Sequence, residues 1–180
     1  MCIVWTISSC ESQKESKTQA NVYYDVKGFM EQQIEILNQQ KPAVEKQMIV
    51  GEQSESRNSD AIDWQKELEL FIQADINKPA YRQSYEVSRP DSLTFTYVLK
   101  NGEDLPVQFL KVILDDQNRQ PARIEAKIVS KNPLYESEKN LIMQAAALDG
   151  KWRLRSYHIY GFQELIISER KPFDVKVNIQ

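Results

Sequence analysis

One dipeptide, Asp149-Gly150, constrains this chain more than any other feature, because it stands between two long strand-like runs at 140–148 and 151–168. A tight primed turn needs positive φ, and Asp and Gly both tolerate it. The spacing therefore predicts a β-hairpin, which we place in the middle of an antiparallel sheet. The surrounding sequence alternates with the same period of two. Leu93, Phe95, Tyr97 and Leu99 face away from Thr94, Thr96 and Val98, and Asn101-Gly102 supplies a second turn signal. Val107, Phe109, Lys111 and Ile113 alternate with Gln108, Leu110, Val112 and Leu114, and the run at 115–118 makes a polar turn. Ile124, Ala126 and Ile128 against Arg123, Glu125 and Lys127 read as a half-buried strand, broken by Asn132-Pro133. Gly161 reads as a bulge or bend, Leu165–Ile167 continues the sheet, and Phe173, Val175, Val177 and Ile179 alternate to the last residue.

The first third has helical periodicity instead. From Asn21, the residues Val22, Val26, Phe29, Met30, Ile34 and Leu37 fall on one stripe, and Pro42 ends the helix. Val44, Met48 and Val50 suggest a short strand, followed by a loop or hairpin through the polar run 52–59. Ser59 or Asp60 is the expected N-cap of a second helix carrying Ala61, Trp64, Leu68, Phe71 and Ile72 and stopping near Asn77. Helices followed by consecutive strands argue for an α+β fold. The expectation is two N-terminal helices packed on one face of a twisted antiparallel sheet of about six or seven strands. With 180 residues the prior is one domain, here 21–180, behind a leading segment 1–20.

Composition removes several function classes. A net charge of -3 gives no general attraction to nucleic acid, which is not expected as a partner. Both cysteines, Cys2 and Cys10, lie in the first ten residues and none follows. The body can hold no disulfide framework, thiolate metal site or cysteine nucleophile, and the single histidine, His158, rules out a histidine-rich metal site. The five glycines are isolated, so there is no phosphate-binding loop. No cofactor or metal is expected. Asp115, Asp116 and Asn118 match part of a calcium loop but lack its central glycine and closing glutamate, and read as a turn.

The start of the chain carries a resemblance. A short apolar run from Ile3 to Ile7, then Ser8, Ser9 and Cys10, then a polar stretch at 11–19, resembles the lipobox and tether of bacterial lipoproteins. That resemblance implies acylation of Cys10, a truncated signal and flexible tether over 1–20, and attachment to a membrane. It places the domain in the cell envelope, at the outer membrane. The stretch 74–82, with Asp63-Trp64 before it, resembles uncharacterised lipoproteins of Bacteroidetes, a family that implies no particular activity.

Candidate ligand-binding residues cluster on the strand 151–160. Alternation puts Lys151, Arg153, Arg155 and Tyr157 on one side and Trp152, Leu154, Ser156, His158 and Tyr160 on the other. A basic row ending in a tyrosine suits an anionic glycan or phosphate. The competing reading is a solvated face balanced by Glu136 and Glu138. His158 is the natural general base near neutral pH, yet no Gly-x-Ser-x-Gly elbow marks a nucleophile. Ala145, Ala146 and Ala147 leave room either for a closely packed helix or for a lipid-like ligand. The expected function is a non-catalytic, lipid-anchored envelope protein that binds another envelope protein or a hydrophobic ligand. A hydrolase acting on glycan or ester bonds through His158 or a carboxylate pair is the first alternative. A structural accessory subunit of a surface complex is the second.

Overall fold

A computed structural model describes residues 21–180; Cys2, Cys10 and the tether lie outside the described residues. The first helix among the described residues, α1 (Val26–Gln40), starts later than the stripe predicts: Val22 precedes it and is exposed. Asp25 sets the start, because its Oδ1 accepts the Gly28 N–H at 2.8 Å and satisfies one free donor of the first turn. Lys41 closes the helix in the left-handed conformation (φ 46°), directly before Pro42. The buried stripe is Val26, Phe29, Met30, Gln33, Ile34 and Leu37.

The expected second helix is broken. It forms as α2 (Trp64–Glu67) and α3 (Glu69–Gln73), with Leu68 between them at φ -99°, ψ 4°. Its cap is Asp63 rather than Ser59 or Asp60, and Asp63 Oδ1 accepts the Lys66 N–H at 3.2 Å. Leu68 and Phe71 are both fully buried, so the break leaves the two on the core side, as their spacing of three demands. The stretch after α3 clasps the start of α1. Asp75 Oδ2 accepts the Lys27 N–H at 3.1 Å, and Asn77 exchanges hydrogen bonds with the backbone of Tyr23 and Tyr24.

The strands are β1 (Val44–Val50), β2 (Gln53–Ser59), β3 (Tyr85–Ser88), β4 (Thr94–Leu99), β5 (Val107–Leu114), β6 (Pro121–Asn132), β7 (Tyr135–Leu148), β8 (Lys151–Leu165) and β9 (Lys171–Ile179). They form one nine-stranded sheet, ordered β2-β1-β9-β8-β7-β6-β5-β4-β3, with antiparallel pairs throughout. The sheet exceeds the expected six or seven strands for a physical reason. β2 has no apolar residue; pairing with β1 from Val50↔Gln53 to Val44↔Ser59, not burial, makes it a strand. β3 has only four residues. Asp149 and Gly150 both take positive φ (50° and 74°), so the central hairpin is the tight turn the sequence predicts. Asn101-Gly102 does not close a tight hairpin, since β4 ends at Leu99 and β5 begins at Val107.

The register assigns faces. The row Phe95, Val112, Ile124, Met143, Tyr157, Val177, Lys46 crosses the sheet on the side that meets the helices. Together with Trp64, Leu68, Phe71 and the α1 stripe it encloses one core. One irregularity matters later. Between β7 and β8 the register steps from Gln144↔Ser156 to Ala145↔Leu154, so Arg155 is an extra residue with no partner. The buried amide of Gln33 on α1 fills that gap: its Oε1 accepts the Leu154 N–H at 2.7 Å. Gly161 is not a bulge, because the register runs through it unbroken.

Candidate functional site: a polar groove on the uncovered face

The bulge at Arg155 reverses the phase of β8. Before it the even residue Leu154 points inward; after it the odd residues Tyr157 and Ile159 do. The expected basic row is therefore not a row. Trp152 lies half-buried on the helix side, its indole Nε1 donating to the Pro121 carbonyl at 3.0 Å. Arg153 sits opposite Ala146, and Arg155 occupies the bulge. The expected acidic neighbours lie toward the other end of the strands, where Glu136 pairs with Lys131 (3.0 Å) and Glu138 with Lys127 (2.9 Å). Of the three alanines only Ala145 is buried.

Tyr157 leaves the candidate surface altogether. It is buried against Phe71, with ring centroids 6.0 Å apart, and its hydroxyl donates to Glu67 Oε2 at 2.5 Å. The same carboxylate takes Lys46 Nζ at 2.7 and 2.9 Å. Burial, reinforced by the Glu67 hydrogen bond and charge, pushes the phenol well above its ordinary value. Tyr157, Glu67 and Lys46 thus clamp α2 to the sheet. A hollow of ≈ 240 Å³ lies beside the clamp, between β1, β2 and the start of α2.

His158 goes to the opposite, uncovered face and does acquire neighbours. Two adjacent cross-strand rows meet there: Gln144, Ser156 and Asn178, and Ile142, His158, Lys176 and Gln47. With Arg123 they line a groove of ≈ 300 Å³. His158 Nε2 donates to Asp174 Oδ2 at 2.9 Å, and Lys176 Nζ stands 3.7 Å from the other carboxylate oxygen. The imidazole also stacks on Tyr160 at 4.7 Å, with 29° between planes. Asp174 and Tyr160 thereby fix the ring's orientation and leave Nδ1 uncommitted. Ser156 Oγ donates to Gln144 Oε1 at 3.3 Å, and Arg123 is held by Glu125 at 2.6 Å.

The arrangement can offer amide, hydroxyl and ammonium hydrogen bonds to a polar ligand beside a stacked ring pair. It has one element of acid–base catalysis, a carboxylate-oriented histidine. It does not gather two carboxylates along the groove lining, as a glycosidase pair requires. Among the described residues no cluster of three or more metal-ligating side chains forms. Asp115 spends Oδ1 on Gln117 and Asn118, which makes 115–118 the expected turn.

Lys176 and Asn178 as groove residues, and Asp174 as the partner of His158, were missed. The signal was their period-two alternation against Val175, Val177 and Ile179, but only the strand order sets β9 beside His158.

No protein-family model, curated protein or solved structure matches this chain.

Proposed function

We propose that this protein is a non-catalytic binding module of the cell envelope, anchored through Cys10 and recognising another envelope component with the uncovered face of its sheet. The observation that carries this reading is the one-sided cover. Among the described residues helices pack on the inner face alone, while the outer face keeps a ≈ 300 Å³ polar groove beside a fixed His158–Asp174 pair. Recognition of a protein or glycan surface fits better than carriage of a hydrophobic molecule. α1 fills the space where an acyl chain would lie, with Val26, Met30 and Leu37 almost fully enclosed. Arg123 and Lys176 supply cations at the groove, yet Glu125 and Asp174 neutralise them, so neutral polar chemistry suits it better than strong anions.

Two measurements test the reading. Metabolic labelling with a fatty-acid analogue is expected to mark wild type and not Cys10→Ala. A photocrosslinking residue at Gln144 is expected to capture one discrete envelope component, and one at Glu35 on α1 is not. Equal, diffuse crosslinking from both positions would end the assignment of the face.

The His158–Asp174 contact favours a second reading, a hydrolase on ester or glycan bonds. It requires that His158→Asn abolish turnover of a model ester while leaving the thermal midpoint unchanged. Equal residual turnover in the variant removes it.

A further inference from the structure

Beyond the helix-covered core the sheet continues as an overhang. The register and packing link one level of the strands from Tyr85 through Ile128 and Gly161 to Val50. Past that level, the turn between β6 and β7 and the turn between β8 and β9 extend together, with the Ile166 N–H donating to the Leu134 carbonyl at 3.1 Å. Five side chains at this end are large, apolar and open to solvent. Leu134 is 67% exposed, Ile166 71% and Ile167 90%, with Leu165 and Val50 about half exposed beside them. Single exposed apolar residues are ordinary, but a contiguous group at one end of a molecule marks a contact surface.

Shape and charge select the occupant. Ile166 and Ile167 sit on a tight turn held by the Ser168 N–H on the Leu165 carbonyl at 2.9 Å, so they project rather than form a floor. A projecting pair offers a rigid protein little area, whereas the interface of a bilayer closes around it. Lys131 and Arg170 are paired to Glu136 and Glu164 at 3.0 Å each, so this end is not a basic patch. The described chain enters close to this level, with Tyr23 packed between Tyr85 at 5.7 Å and Tyr97, two residues further from the turns, at 5.3 Å. The ten residues between Cys10 and Asn21 reach at most about 35 Å, which keeps an anchored domain within touch of its membrane.

We infer that Leu134, Ile166 and Ile167 form a membrane-contact tip that inserts into the bilayer interface. The inference deepens the anchored reading above and rests on it for the bilayer's proximity. It gives the groove a defined height: His158 lies eight residues up from Ile166, on the order of 25 Å along the strand. The lipid anchor supplies attachment, and the tip supplies orientation.

The test uses the unlipidated full chain, Cys10→Ser, with phosphatidylcholine vesicles with and without phosphatidylglycerol. Cosedimentation is expected with both, changing little as salt rises from about 0.1 to 0.5 M, because the contact is apolar. An Ile167→Trp reporter is expected to shift its emission to the blue on vesicles. Ile166→Ser combined with Ile167→Ser is expected to lose at least about tenfold in partitioning while keeping the thermal midpoint, since neither side chain is buried. No cosedimentation together with no blue shift overturns the tip. Self-association abolished by the serine pair, without vesicle binding, also overturns it and makes this end a protein interface. Fatty-acid labelling at Cys10 is scored separately. Labelled protein whose unlipidated form ignores vesicles keeps the anchor and loses the tip; vesicle binding without labelling keeps the tip and loses the anchor.

Discussion

Gln33 shows how much one polar side chain decides. It lies on the buried stripe of α1 at 1% exposure, where periodicity would ask for a leucine. Its amide is there because the bulge of β8 frees the Leu154 N–H, and a buried donor without a partner is costly. Gln33→Leu should therefore destabilise the fold by about 1–3 kcal/mol despite adding apolar surface, read from the midpoint of urea unfolding. The tyrosines lead to a second expectation. Burial raises the phenols of Tyr23, Tyr24, Tyr85, Tyr97 and Tyr157 above the ordinary 10.0, with Tyr24 pushed up to about 12. The folded state holds these protons where the unfolded chain releases them. Their contribution is complete below about pH 10 and falls as pH rises beyond it. The share of phenolate absorbance that comes from these five of the eight tyrosines should rise in step with loss of tertiary structure, not before it. His158 was visible as a candidate because it is the single histidine. Its partner was not, since Asp174 is one carboxylate among many until the strands are placed.

Among the elements, the β7–β8 hairpin sets the most. Asp149-Gly150 closes it at one end, and Gly161 lets the two backbones meet near the other. A Cβ on Gly161 would fall 1.9 Å from the Glu138 carbonyl oxygen, which no side-chain movement can relieve. Gly161→Ala should cost about 1–3 kcal/mol and lower the thermal midpoint, with slow amide exchange lost first around 138–139. A midpoint equal to wild type would mean the strands can separate there without cost. The bulge explains why β8 was read with the wrong faces. Alternation from Lys151 onward is correct as far as Leu154, and one unpaired residue then reverses it. A bulge leaves no local signature in a run of Arg, Ser and Tyr. β2 stayed open between a loop and a hairpin for the converse reason, because its partner rather than its composition makes it a strand. The second helix was placed correctly as a segment and wrongly as one piece.

At the scale of the whole molecule, the one-sided cover of a wide sheet organises everything else. Its inner face is packed by α1, α2 and α3, and the outer face carries the polar groove. Among the described residues sulfur enters that packing only through methionine. Thermal and urea midpoints of Cys10→Ala should equal those of wild type, and reducing agent should change neither, because no cysteine follows residue 10. A shift on reduction would show that the leading cysteines are bonded to each other and bear on the fold.

What the sequence by itself determined is local. Alternation of period two and stripes of period near 3.6 named the α+β class, the central hairpin, the core-facing residues of β6 and β9 and the core role of Trp64. These patterns are legible because each residue's face follows from its own segment's geometry. Tertiary structure alone decided which segments lie side by side: β1 on β9, Gln33 in the bulge, Glu67 under Tyr157, Asp174 against His158. Those contacts join residues from 16 to 135 positions apart, and hydrogen bonds over such distances depend on strand order and register, which no short window of sequence contains.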